Sequence, residues 1–244
     1  MTYIEGFVIA VPTASQQAFT DHARRTDAVF LEHGATRIVE CWQKDVARGH
    51  TTDFFGAVAA REGEAVVFSW IEWPDRAKRR AMMARMDELA RTDPRFDPEK
   101  NPVPFDGARM IYGGFEAIVE HGEPAAGGYV QGFVVPVPAA EKEAYRKMAE
   151  EAWEMFRRHG ALRVVEAWQD DVPEGKQTDF FRSVQAKPGE QVVFAFVEWP
   201  SREICDTAST RMQAEVQPPP ADAMPFDGKR MIYGGFEPVV EVTG

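Results

Sequence analysis

Residues from Tyr3 to Arg76 recur from Tyr129 to Arg202 at one constant offset with roughly half of the positions unchanged, and this internal duplication limits the fold more than any other feature. The register slips between Met86 and Pro104, where the second copy is shorter, and returns as PFDGARMIYGGFE (104–116) against PFDGKRMIYGGFE (225–237). A change of length at that point marks a surface connection. The Gly-, Ala- and Pro-rich stretch after His121 reads as a flexible joint. The expected organisation is therefore a first repeat over 1–122, a linker over 123–128 and a second repeat over 129–244.

Each copy has the same pattern of elements. Tyr3 to Val11 alternates and stops at Pro12, as Tyr129 to Val137 stops at Pro138, which predicts a strand. Ala14 to His33 and Ala140 to His159 contain no helix breaker, show helical periodicity and end before Gly34 and Gly160, the residue type suited to a left-handed C-terminal cap. Two strands follow, Ala35 to Val46 and Glu64 to Trp73, the second closed by Pro74. Asp75 and Ser201 then stand as N-caps before helices over Arg76 to Leu89 and Arg202 to Val216. A last strand is expected from Arg109 to Val119 and from Arg230 to Val240.

The order βαββαβ, twice, is the ferredoxin-like α+β unit, whose helices cover one face of an antiparallel sheet and leave the other bare. Two copies in one chain bury both bare faces if these meet. The expected product is an intramolecular pseudo-dimeric α/β barrel of eight strands. A composition of 44% hydrophobic and 27% charged residues can supply such a core. The net charge of -11 repels polyphosphate and anionic lipid, which argues against nucleic-acid and membrane-surface partners. No run of apolar residues is long enough for a membrane helix, the first residues lack the pattern of a secretory signal, and two cysteines make no disulfide framework. The expected location is the cytoplasm, with Cys41 and Cys205 as unpaired thiols.

Gly-Phe-Val-x-x-Val-Pro, His-Gly-Ala, Val-Glu-x-Trp, Val-Val-Phe, Glu-Trp-Pro-x-Arg and the closing PFDGxRMIYGGFE occur in this order in both halves. In this the chain resembles the YbaA-like family of small bacterial proteins of unknown function. The resemblance implies the dimeric α/β-barrel superfamily, which includes cofactor-independent monooxygenases, haem enzymes, lactone isomerases and dehydratases as well as binding proteins without chemistry. It implies no activity of its own. Family members are typically one repeat long, so this chain departs by fusing two.

Strand alternation sorts the chemistry-bearing residues by face. If the small aliphatic set faces the helices, the barrel receives Phe7, Glu40, Trp42, Phe68, Trp70, Glu72, Arg109 and Phe115. The second copy contributes Phe133, Glu166, Trp168, Phe194, Phe196, Glu198, Arg230 and Phe236. On this phase Cys41 points to the helices. Read functionally, these residues are an aromatic ligand pocket with a few oriented charges. Read structurally, they are the core between two sheets, with compensating ion pairs at its rim. His33 and His159 fit helix C-terminal capping, with a general base or a metal ligand as the functional alternative. Asp53 and Asp179 fit an Asx turn opening a short element. Gly113-Gly114 and Gly234-Gly235 mark a bulge or a close approach within a strand. No metal-ligand spacing or Gly-rich phosphate cradle occurs, so no metal, haem or other cofactor is expected. The functional expectation is a small-molecule-binding α/β-barrel protein, with a monooxygenase- or isomerase-like enzyme acting on an apolar or aromatic metabolite as its catalytic form. The alternative is a non-catalytic interaction or regulatory module using the duplicated barrel.

Overall fold

Capping and breaker residues delimit the elements in the computed structural model, which describes residues 2–124, 126–215 and 224–244. In the first repeat β1 (Tyr3–Pro12) is followed by a 3-10 turn and α1 (Gln16–Glu32), then β2 (Arg37–Asp45), α2 (Phe54–Ala57) and β3 (Glu64–Trp73). The second helical layer is broken into α3 (Arg76–Met83) and α4 (Met86–Thr92), and β4 (Ile111–Gly122) closes the repeat. The second repeat runs β5 (Tyr129–Pro138), α5 (Lys142–Arg158), β6 (Arg163–Asp171), α6 (Phe180–Ser183), β7 (Glu190–Trp199), α7 (Arg202–Glu215) and β8 (Ile232–Thr243). Val216, the expected end of α7, lies outside the described residues, as does Ala125 of the expected linker.

Helix α1 stops at Gly34, whose φ of +103° would strain any residue with a Cβ. His33 Nδ1 lies 2.8 Å from the Val29 carbonyl, so the ring adds a second bond to a carbonyl of the last turn that the His33 amide also reaches. Asp53 caps α2 by accepting from the Gly56 amide, and Asp179 caps α6 by accepting from the Arg182 amide.

Within each repeat β1 and β3 (or β5 and β7) each lie between two neighbours, leaving β2 and β4 (or β6 and β8) with an unpaired edge. These edges meet across the repeats: β2 pairs with β8 and β4 with β6, giving a closed antiparallel barrel in the order β1-β3-β2-β8-β5-β7-β6-β4. Closure removes every free edge. The helices coat the outside, and α2 and α6 sit together at one mouth, sending Phe54 and Phe180 into the barrel core.

The interior is filled with aromatic carbon. Phe68 and Phe194 stack with ring centroids 4.5 Å apart, and Trp70 and Phe196 stack at 4.0 Å. Phe115 and Phe236 close around them. Because Phe68 and Phe194 are equivalent residues in contact, they straddle the pseudo-two-fold axis. The space they occupy is left by Gly6 and Gly132: a Cβ at Gly6 would lie 2.8 Å from the Phe194 ring, and one at Gly132 would lie 2.9 Å from Phe68. Among the described residues no helix is long and apolar enough to cross a membrane.

Two outcomes follow from this packing. A fragment spanning 1–122 should associate as a homodimer, since its β2 and β4 edges and its aromatic face otherwise stay exposed; sedimentation equilibrium showing a folded monomer would contradict the edge-pairing account. Gly132→Ala should cost about 1–3 kcal/mol of unfolding free energy by overpacking against Phe68, measurable by urea titration.

Candidate functional site

The mouth opposite α2 and α6 is closed by charge. Arg37 on β2 donates to both carboxylate oxygens of Glu198 on β7 at 2.8 and 2.7 Å, and Arg163 on β6 donates to both of Glu72 on β3 at 2.7 and 2.9 Å. Each pair therefore joins one repeat to the other. Arg37 also donates to Glu72 and Glu241, and Arg163 to Glu198 and Glu120. The guanidinium carbons lie 5.6 Å from the Trp70 ring and 5.8 Å from the Phe196 ring. Burial raises the pKa of the Glu72 carboxyl, but the Arg163 guanidinium and the Trp70 indole N–H outweigh it and hold the group below its ordinary range. Such a network, with each charge answered, is a structural lock.

The structure brings Phe68, Trp70, Glu72, Phe115, Phe194, Phe196, Glu198 and Phe236 to the interior, but it corrects the other half of the expected set. Phe7, Glu40 and Trp42, with Phe133, Glu166 and Trp168, point outward to the helices; Trp42 packs on Phe19 of α1, and Glu166 accepts from Tyr145 of α5. Cys41 correspondingly faces the barrel core. Both sheet faces are buried here, so aromatic residues occur on both and do not report the phase. Arg109 and Arg230 precede β4 and β8 instead of starting them, and alternation does not reach them. Arg109 forks onto Glu64, and Arg230 onto Glu190, each also bonding the Asp of the Asp-Gly turn, Asp106 or Asp227. Arg109 thereby holds the Glu64 carboxyl down to about 2.

Gly114 and Gly235 answer a close approach. A Cβ at either would collide with the hydroxyl of Tyr3 or Tyr129, and those hydroxyls donate across the repeats to Asp170 and Asp45 at 2.9 and 2.8 Å. The two buried cysteines are unpaired.

A second polar cluster, on the outer face, was not legible in the sequence. Along β2 the outward residues are Ile38, Glu40 and Trp42, and apolar clusters form around the first and the third. Glu40 falls in the gap between them, beside Ser69 of β3 and near enough to Asp27 of α1 for their charges to interact. Both carboxylates are buried, and neither has an ion-pair partner among the described residues. Ser69 donates to Glu40 Oε2 in a short hydrogen bond, while Asp27 Oδ2 is buried with no hydrogen-bond partner. Burial raises Glu40 from its ordinary value of 4.5 to about 7, partly opposed by the Ser69 hydroxyl. Burial and then the Glu40 charge push Asp27 well upward too. Burial and like charge both favour the protonated form of these neighbouring carboxyls.

The sheet is irregular beside this pair. Glu40 pairs with Val240 and Cys41 with Pro238, leaving Val239 as a bulge. Bulges gather beside functional sites because they re-aim side chains. Val239 lines an open groove of about 550 Å³ between α1 and β8, with Gln17, Thr20 and Arg24 on the helix side. The second repeat has the equivalent bulge at Ile118 and a groove of about 280 Å³ between α5 and β4. There Trp153 stands where Asp27 is and Ala195 where Ser69 is, and Glu166, raised by burial to about 7, is bonded by Tyr145. The carboxylate pair exists in the first repeat alone. Among the described residues no cluster of His, Cys, Asp and Glu is placed to hold a metal ion.

A family model described as "Protein of unknown function (DUF1428)" matches residues 2–107 and again 128–228, one match per repeat. The chain belongs to the DUF1428 family. It is 52% identical over 114 residues to "Uncharacterized protein YbaA" of Escherichia coli (strain K12), covering 46% of this chain and 97% of that one. The DUF1428 barrel is similar in fold to two solved structures described as putative monooxygenases. One, from Lactobacillus acidophilus, has a TM-score of 0.58 at 10% identity and covers 99% of this chain and 96% of its own. The other, from Fusobacterium nucleatum, has a TM-score of 0.59 at 7% identity and covers 99% of this chain and 94% of its own.

The carboxylate pair has a definite pH signature. The native state binds the Glu40 proton more tightly than the unfolded chain, so the stability it contributes is full at low pH and is lost as pH rises from about 4.5 to about 7. Asp27→Asn removes the neighbouring charge. Its advantage over the wild type in urea unfolding should grow by about 1–2 kcal/mol between pH 5 and pH 8. An equal difference at both pH values would show that Asp27 is not raised by its burial and by the Glu40 charge.

Proposed function

We propose that the protein binds a small apolar or aromatic metabolite in the groove between α1 and β8 and transfers a proton on it with Asp27 and Glu40, an isomerase-like chemistry that needs no cofactor. The observation that carries this reading is the pair of buried, cation-free carboxylates beside a strand bulge that lines an open groove. Groups whose environments hold a proton between them near neutral pH are suited to remove a proton from one atom and return it to the next. The ionised member takes a proton from the carbon acid, and the protonated member delivers one to the neighbouring atom, so the pair ends with its single proton exchanged and no net change. Arg24, exposed at the groove and without an ion-pair partner among the described residues, offers its guanidinium to the negative charge that develops on the substrate. With Trp153 and Ala195 in the equivalent places, the second repeat serves as scaffold. The same reading puts the protein in the cytoplasm, where two buried free thiols stay reduced, with small molecules and not nucleic acid as partners.

Hydrogen–deuterium exchange at carbon tests this. Incubated in D2O with a panel of small ketones, lactones and unsaturated acids, the wild type should exchange a carbon-bound proton of at least one member, followed by proton NMR. The rate should rise as pH passes about 7, where Glu40 ionises. Glu40→Gln should slow it by about a hundredfold or more, and Glu166→Gln should leave it unchanged. Exchange that survives Glu40→Gln, or a panel neither exchanged nor bound, would favour the non-catalytic interaction module.

A further inference from the structure

At the mouth plugged by α2 and α6, each repeat contributes half of two further clefts. The loop between β2 and α2 forms one wall of the first cleft, and the Asp227-Gly228 turn with the start of β8 forms the other. The two walls are tied by Thr52 Oγ1, which donates to the Arg230 carbonyl at 3.1 Å. The second cleft is built the same way, with Thr178 Oγ1 donating to the Arg109 carbonyl at 2.9 Å. Their backbones correspond, but their chemistry does not.

The first cleft has a volume of about 470 Å³, within the roughly 300–1,000 Å³ of small-molecule sites. Arg48, His50 and Lys229 line it. Among the described residues its one carboxylate is Asp53, which accepts from the Gly49 and Gly56 amides and lies 4.0 Å from Arg48 Nη1, too far for a hydrogen bond, so the guanidinium keeps its donors. The Arg48 guanidinium lies 4.1 Å from the centre of the Phe55 ring, which fixes its position. Apolar surface comes from Tyr233, a tyrosine 62% exposed whose ring stacks on Phe133. The second cleft, at about 230 Å³, has Glu174 in place of Arg48, Lys176 in place of His50 and Ala108 in place of Lys229. A chain of net charge -11 thus concentrates cations in one cleft and not in its twin.

We infer that the first cleft is a binding site for a small aromatic carboxylate, with Arg48 and Lys229 on the carboxylate and Tyr233 against the ring. Planar charge pairing and ring stacking are what these side chains offer. Phosphate fits less well, because phosphate sites rely on free backbone amides, and the Gly49 amide and the start of α2 are both committed to Asp53. The site requires neither Asp27 nor Glu40, so its failure and that of the proton-transfer reading are separable.

The test is titration of the full chain, labelled with 15N, with 4-fluorobenzoate, and separately with inorganic phosphate, followed by amide shifts and by 19F NMR. Saturable shifts are expected at Gly49, Gly228 and Tyr233, with none at Ala108, Gly175 or Tyr112, and phosphate should not saturate. Arg48→Glu and Lys229→Ala, which copy the twin cleft at exposed positions, should each weaken binding by about tenfold or more. No saturable shift, equal shifts in both clefts, saturation by phosphate at comparable concentration, or affinity unchanged in both variants would each overturn the assignment. The shift map on the unmodified chain decides the point even if a variant folds poorly.

Discussion

Contact between equivalent residues across the pseudo-two-fold axis organises the molecule. Phe68 stacks on Phe194 and Trp70 on Phe196, and the Phe194 and Phe68 rings sit where the opposite sheet has no side chain to offer, at Gly6 and Gly132. That interpenetration sets the separation of the two sheets. It leaves β2 and β8, and β4 and β6, close enough to pair, and it positions Arg37 and Arg163 to reach the glutamates of the other repeat. Aromatic packing and ionic closure act along the same axis, one at its centre and one at its mouth. Aromatic rings fill the interior, and the grooves and clefts lie outside it, under the helices and at the plugged mouth.

The duplication made the architecture legible, because βαββαβ written twice leaves two bare faces that only each other can cover. The strand phase was half legible. It is right in β3 and β7, where Phe68, Trp70 and Glu72 form one row, and in β4 and β8, where Phe115 and Phe236 point inward, and inverted in β1, β2, β5 and β6. Alternation reports inside from outside only when one face meets water, and β3 is buried along nearly its whole length on both faces. Gly6 and Gly132 held the missing information, since a glycine shared by both copies within a strand signals an approaching ring. Arg37 and Arg163 held it too, as charges repeated inside apolar strands. The Asp27–Glu40 pairing left no such trace: it links a helix to a strand through their charges and is absent from the second copy, so comparing the repeats draws attention away from it.

The two halves differ where the proposed chemistry lies and agree where the fold is held. Both keep the glycines, the glutamates at the ends of β3 and β7, and the Arg-Glu forks beside the Asp-Gly turns. They part at Asp27 and Trp153, Ser69 and Ala195, Arg48 and Glu174, Lys229 and Ala108. The glutamate at the bulge is common to both; what changes is whether a second acid or a tyrosine hydroxyl meets it.

Covalent linkage gives that divergence its meaning. In a barrel assembled from two identical subunits, every substitution appears twice, and a buried acid pair would burden both halves with the same reluctance to ionise. Here a single gene product carries unequal halves. One side can hold an electrostatically unfavourable arrangement while its partner, with a Trp and a Tyr in the equivalent places, supplies ordinary packing. Symmetry that would otherwise be enforced by assembly becomes optional, and the barrel gains a front and a back.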